Sequence, residues 1–212
     1  MKKIMILLVI AFVLTACGTA TPTAESQILD VYATSAAQPL LTRLYTCAAS
    51  SSVILKVSAE SPEIYLRLGE PDVFASSAYK VSEEEILVVV PRNSPVQNLT
   101  LAEVQELFAK GSGSSGPVQV WVYSSDADVQ QSFDQLVMKG RRVSSSAKVA
   151  VSPQNMSDQL KAEPAAIGIL PRHWLTGDMR DVFSAGHVPV LAITKSEPQG
   201  AVIGLISCLQ NN

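Results

Sequence analysis

The sequence predicts an α/β protein of two lobes, each a small, mostly parallel sheet flanked by helices. Three observations carry this. Strand and helix signals alternate from residue 28 onward, and alternation of that kind builds parallel sheets with crossover helices. A nearly continuous apolar run, EILVVVPRNSPV at 85–96, suits a buried strand that leaves one sheet and hands the chain to another. The last segment, AVIGLISCLQ, has an apolar helical face with nothing beyond it to pack on, so it must return to an earlier part of the chain.

In chain order, LDVYAT reads as the first strand and TSAAQPLLTRLYTCAA as the helix after it. Thr34 and Ser35 are cap candidates there, and Pro39 lies early enough to be tolerated. VILKVSA is the second strand. SPEIYLRLGE at 61–70 leads to a third over DVFASSA, which makes a βαβαβ rhythm. After the apolar run, Thr100 and Glu103 form a capping box before a short helix. GSGSSG at 111–116 is a surface turn; it lacks the lysine and helix start of a phosphate loop. PVQVWVY is a strand, followed by YSSDADVQQSF, where Ser125 and Asp128 read as a second box opening a helix that ends near Gly140. AKVAVS, AAIGILP and HVPVLAIT are further strands, with a helix over NMSDQLKAEP and a long loop over 171–186. Ser196, Pro198 and Gln199 should open the last helix. Tyr32, Tyr45, Trp121 and Phe133 read as core, while Tyr79 and Tyr123 lie at strand ends facing a cleft.

The N-terminus is a processing segment rather than part of the fold. MKK precedes the apolar run IMILLVIAFVLTA, which is short for a span and ends at Cys17. LTAC resembles the lipobox of bacterial lipoprotein signal peptides. That resemblance implies cleavage after residue 16, a diacylated Cys17, and a location outside the cytoplasm anchored to the cell membrane, or to the outer membrane of a cell with two. Residues 17–27 then form a small polar tether.

Charge and composition exclude several classes. The chain has 16 Lys and Arg against 19 Asp and Glu, and loss of the leader removes Lys2 and Lys3. Nucleic acid, which needs clustered positive charge, is not a partner to expect. The two histidines, His173 and His187, and the cysteines form no metal-ligand spacing, and no nucleophile elbow is present. The reading is therefore of a non-enzyme without metal or cofactor. Cys47 and Cys208 lie in apolar helical patterns near the two ends of the mature chain. They either join the last helix to the first or remain two buried thiols.

VYATSAAQPLL, ILVVVPRNSPVQNLTLAEVQELFAKG, AEPAAIGILP and VPVLAITKSEPQGAVIGLISCLQ resemble, in order and spacing, phrases of the phosphate-binding branch of the type 2 periplasmic-binding-protein fold. These are substrate-binding lipoproteins of bacterial ABC importers. The resemblance covers nearly all of 28–212. It implies lobe one at 28–88 with 190–212, lobe two at 89–189, and hinges near 88–92 and 187–191. Its further implications are a phosphate-like or other small anion, or a small organic solute, clamped between the lobes and a membrane permease as partner. The chain is shorter than most members, so some peripheral helices must be missing.

One phrase departs from the family. Phosphate-binding members carry an arginine, then serine-glycine-threonine, then, after three intervening residues, a phenylalanine. Anchoring on Phe133 places these at Tyr123, Ala127, Asp128 and Val129. Every recognised side chain is absent, and Asp126 and Asp128 would repel an oxyanion. The remaining ligand candidates are Thr34, Ser35, Asp72, Ser76 and Ser77 at strand ends of lobe one, and Tyr123, Ser124 and Ser125 in lobe two. The loss leaves a second reading beside the importer: a non-transport, membrane-anchored interaction or sensory module with a degenerate ligand site.

Overall fold

The computed structural model describes residues 26–71, 77–113 and 116–211. Cys17, Asp72 and Ser76 lie outside them. β1 (Gln27–Ala33), α1 (Pro39–Ala49), β2 (Val53–Val57) and β3 (Ile64–Leu68) form one end of the molecule. β4 (Ser77–Pro91) leaves it, and α2 (Leu101–Lys110), the hairpin β5–β6 (Ser112–Gly113, Gly116–Pro117), β7 (Gln119–Tyr123), α3 (Asp128–Phe133), β8 (Lys148–Ala150), α4 (Pro153–Ala162) and β9 (Ala166–Pro171) form the other. β10 (Met179–Thr194) runs back, and α5 (Ala201–Asn211) closes the chain.

The strands hydrogen-bond in the order β2-β1-β3-β10-β4-β9-β7-β8. Three parallel strands at each end are joined through β4 and β10, which pair antiparallel with each other along almost their whole length. At ~3.3 Å per residue, strands of 15 and 16 residues reach ~50 Å, enough to cross both lobes. Ile86–Val90 are fully buried where they pass between them.

Several local signals read as expected. Pro39 opens α1, Thr100 and Glu103 form the reciprocal box of α2, and Ser152 caps α4. α5 packs on α1 and β4, and Arg43 Nη2 donates to Leu209 O at 2.8 Å. Cys47 and Cys208 are joined by a disulfide, with Cα atoms 5.9 Å apart.

Other expectations are corrected. The third strand is Ile64–Leu68; of the expected 72–78, residues 72–76 lie outside the described residues, and Ser77 and Ala78 open β4. β2 pairs with the first half of β1, and β3 with its second half from the other side. The six-residue link passes over the middle of β1, where Ser58 N donates to Val31 O and Glu63 N to Asp30 O. Because β3 starts where β2 stops, this parallel pair needs no crossover helix. Much of the expected 171–186 loop is instead the first half of β10, whose bulges between Asp181 and Phe183 and between Ser184 and Gly186 break the alternation that marks a strand. α3 starts without the Ser125–Asp128 box: its N-cap is Ala127, with no side-chain cap. α5 starts at Ala201, so Pro198 precedes its first turn. Tyr45 is 46% exposed rather than core.

Candidate functional site

The two lobes meet where the β1–α1 turn and the end of β3 face the start of α3. Thr34 occupies that turn: its Oγ1 accepts from Ala37 N at 3.3 Å, and its backbone N–H donates to Leu66 O. Across the seam, Asp128 is 4% exposed. Its Oδ2 accepts from Thr34 Oγ1 at 2.6 Å and from Leu68 N at 2.8 Å, both in the opposite lobe. Oδ1 accepts from Val129 N at 2.9 Å. One carboxylate thus takes a helix-start N–H of its own lobe and two donors of the other. Charge-assisted bonds of this kind contribute ~1.5–3 kcal/mol each.

Neighbouring contacts fix this closure. Arg67, 8% exposed, donates from Nη2 to Gln131 Oε1 at 2.6 Å. Gly69 has φ +65°, and a Cβ there would lie 2.8 Å from Ser132 Oγ, so only glycine lets the lobes approach this closely. Ser132 Oγ is held by Asp128 O at 2.8 Å. Asp128 acts on tyrosines of both lobes: the Tyr65 hydroxyl is pushed up by burial, with Arg67 opposing and Asp128 adding, and Tyr123 is pushed well up by burial and then by Asp128.

A second strap crosses at the turn Arg172–Trp174. Trp174 Nε1 donates to Ala36 O at 3.2 Å. His173 Nε2 lies 3.2 Å from the same carbonyl, and its Nδ1 contacts the Glu84 carboxylate. Trp174→Phe keeps the ring and removes the indole donor. It is expected to lower stability by about 1 kcal/mol in urea unfolding, with little change in the denaturant slope.

Of the candidate ligands, Thr34 is in the seam, bonded to Asp128 rather than offered to a solute. Ser35 is half-buried in the same turn. Tyr123 does not face a cleft: β7 lies between β8 and β9 with both faces covered, so the ring is buried and its hydroxyl donates to Ile169 O at 2.8 Å. Tyr79 packs against the core. Ser77 pairs with Thr194, while Leu68 pairs with Val190. It therefore opens β4 at the far end of lobe one and does not approach Asp128. Ser124 and Ser125 are exposed in the turn before α3. The Ser124 hydroxyl, with the Asp126 backbone, holds the Asp126 carboxyl below its usual range. Among the described residues, no group of three His, Cys, Asp or Glu side chains could hold a metal.

No family model matches the sequence, and no curated protein matches it. Solved structures do. A protein described as a phosphate ABC transporter substrate-binding protein, from Clostridium perfringens and with phosphate bound, aligns with TM-score 0.77 and 13% identity over 86% of this chain and 93% of that one. The chain has the type 2 periplasmic-binding-protein fold. An ABC-type phosphate transport receptor from Vibrio cholerae aligns with TM-score 0.65 and 13% identity, over 87% and 93% of the two chains. A variant regulatory domain of OxyR2 from Vibrio vulnificus aligns with 0.66 and 8% identity, over 88% and 97%. The type 2 fold is thus shared here by solute receptors and by a regulatory domain, and the choice between those roles rests on the residues of the seam.

Proposed function

We propose that the protein is an extracytoplasmic lipoprotein of the solute-binding fold whose anion seat is filled by its own Asp128. Lobe one is residues 28–88 with 190–212, lobe two is 89–189, and a cleaved leader leaves a diacylated Cys17 on the tether 17–27. No helix among the described residues is long and apolar enough to cross a membrane. The carrying observation is the Asp128 carboxylate, which takes Thr34 Oγ1, Leu68 N and Val129 N together. Those donors suit an oxyanion bridging the lobes, and the protein supplies that charge itself. In this reading it serves as a membrane-anchored interaction or sensory module, held shut without a solute, and does not carry phosphate.

The importer reading is favoured by a different observation. Two long strands cross between the lobes, and the bulge at Val190/Leu191 falls within the hinge proposed at 187–191, where β10 pairs with Lys80–Glu85 of β4, while 88–91 lies opposite Met179–Phe183. Opening there would draw Asp128 away from Thr34 and expose the seat to a small anion or small organic solute for delivery to a membrane permease.

A thermal-shift titration separates the two. Millimolar phosphate at a micromolar site would stabilise the fold by roughly 4 kcal/mol. The native chain is expected to show no such shift with phosphate, sulfate or molybdate. A shift of that size with any of them would replace the module reading with the importer reading.

A further inference from the structure

The outer face of the lobe-one sheet meets the seam at Arg67, two positions after Tyr65 on β3, and runs away from it toward β2. Along β1, Leu29, Val31 and Ala33 are buried with α1 in one core, while the alternate residues point the other way. On that second face Ile28 and Ile54, partners across β1 and β2, are 62% and 52% exposed. Further along, Tyr32 and Tyr65 stand side by side on adjacent parallel strands, ring centroids 5.7 Å apart and planes 22° from parallel. Together with Ala59, Pro62, Ile193 and Lys195 they line an open cup of about 390 Å³, within the size range of small-molecule sites.

The cup joins a stacked pair of aromatic rings to the Lys195 ammonium. Neither tyrosine hydroxyl has a hydrogen-bond partner among the described residues. Burial holds the Tyr65 phenol above its usual range, so it remains a donor. Lys195 is exposed and donates to the Ser61 carbonyl. No carboxylate of the described residues forms an ion pair with it; the nearby Glu63 carboxylate is turned to the Asp30 N–H at 2.7 Å. An ammonium beside two near-parallel rings is complementary to a ligand with a planar ring and an anionic end.

We propose that this cup is a second ligand site, selective for a small planar aromatic carboxylate, with the ring on the Tyr32–Tyr65 pair and the carboxylate on Lys195. The proposal goes beyond the function given to the seam, although Arg67 and Asp128 of the seam act on the Tyr65 hydroxyl.

The test is an NMR titration of the full chain in detergent with 4-hydroxybenzoate and indole-3-acetate. Benzyl alcohol and glucose serve as a neutral ring and a neutral sugar. Saturable shifts at the amides of Tyr32, Tyr65 and Ile193 are expected with both acids. Lys195→Met should weaken the acids about tenfold or more, the loss of one charge-assisted bond, and leave benzyl alcohol unchanged. Lys195 is on the surface, so this variant keeps the fold. Tyr65→Leu should weaken the acids and the alcohol together. Absence of saturable shifts with the acids, acid binding by Lys195→Met equal to the native protein, or glucose binding in their place would overturn the proposal.

Discussion

Asp128→Ala is expected to destabilise the protein by about 3–5 kcal/mol, because three donors lose a charged acceptor and each such bond contributes about 1.5–3 kcal/mol before the site relaxes. The substitution leaves the Leu68 and Val129 N–H groups and the Thr34 hydroxyl without the acceptor they share. Asp128→Asn keeps one acceptor oxygen and turns an amide toward a donor, so a smaller loss of about 1–2 kcal/mol is expected. Urea unfolding gives both values. The alanine variant also vacates a seat lined by three donors, so phosphate or sulfate should restore part of its stability while leaving the native protein unchanged. If alanine costs under about 1 kcal/mol, the carboxylate does not hold the lobes together.

Opening the Cys47–Cys208 disulfide is expected to cost about 3–5 kcal/mol, because it closes a loop with a sequence separation of 161 residues and long loops lose most unfolded-state entropy when cross-linked. α5 follows all of lobe two in the chain, yet it packs on α1 of lobe one. The bond therefore fixes the return of the chain to its starting lobe. Cys47→Ala with Cys208→Ala, or native protein under reductant, should show the loss in urea unfolding. A bridge of this kind fits export to an oxidising compartment. Equal stability of reduced and oxidised protein would show that the α1–α5 packing suffices without it.

The fold was legible where the chemistry is local. Alternating apolar residues, the Thr100–Glu103 box and the unbroken run ending at Pro91 each depend on neighbours within a few positions. Strand β3 was not, because its place beside β1 follows from an offset between strands rather than from a helix. The buried ring of Tyr123 was hidden for a related reason. Val120 to Tyr123 are all buried in an inner strand, so no alternation tells one face from the other. Within the seam, Thr34 could be picked out as a polar residue at a strand end. The sequence also implied that Asp128 stands where the resemblance puts a glycine and can take helix-start N–H groups. That its other oxygen reaches Thr34 and Leu68, 94 and 60 positions away, is a product of lobe docking. Arg67, Gln131, His173 and Trp174 carry no local mark of their contacts. The one available signal was a carboxylate in the place of a small residue at an anion seat.

On the proposed reading, Asp128 keeps the lobes shut with no solute bound. Spin labels at Lys56→Cys and Arg142→Cys, on exposed positions of the two lobes, report the interlobe distance by pulsed electron resonance. The native chain should give one narrow distance that phosphate does not alter, and Asp128→Ala a broader, longer distribution that phosphate narrows again. A native chain that is open without phosphate and closes on its addition would show that a solute, not Asp128, shuts the lobes.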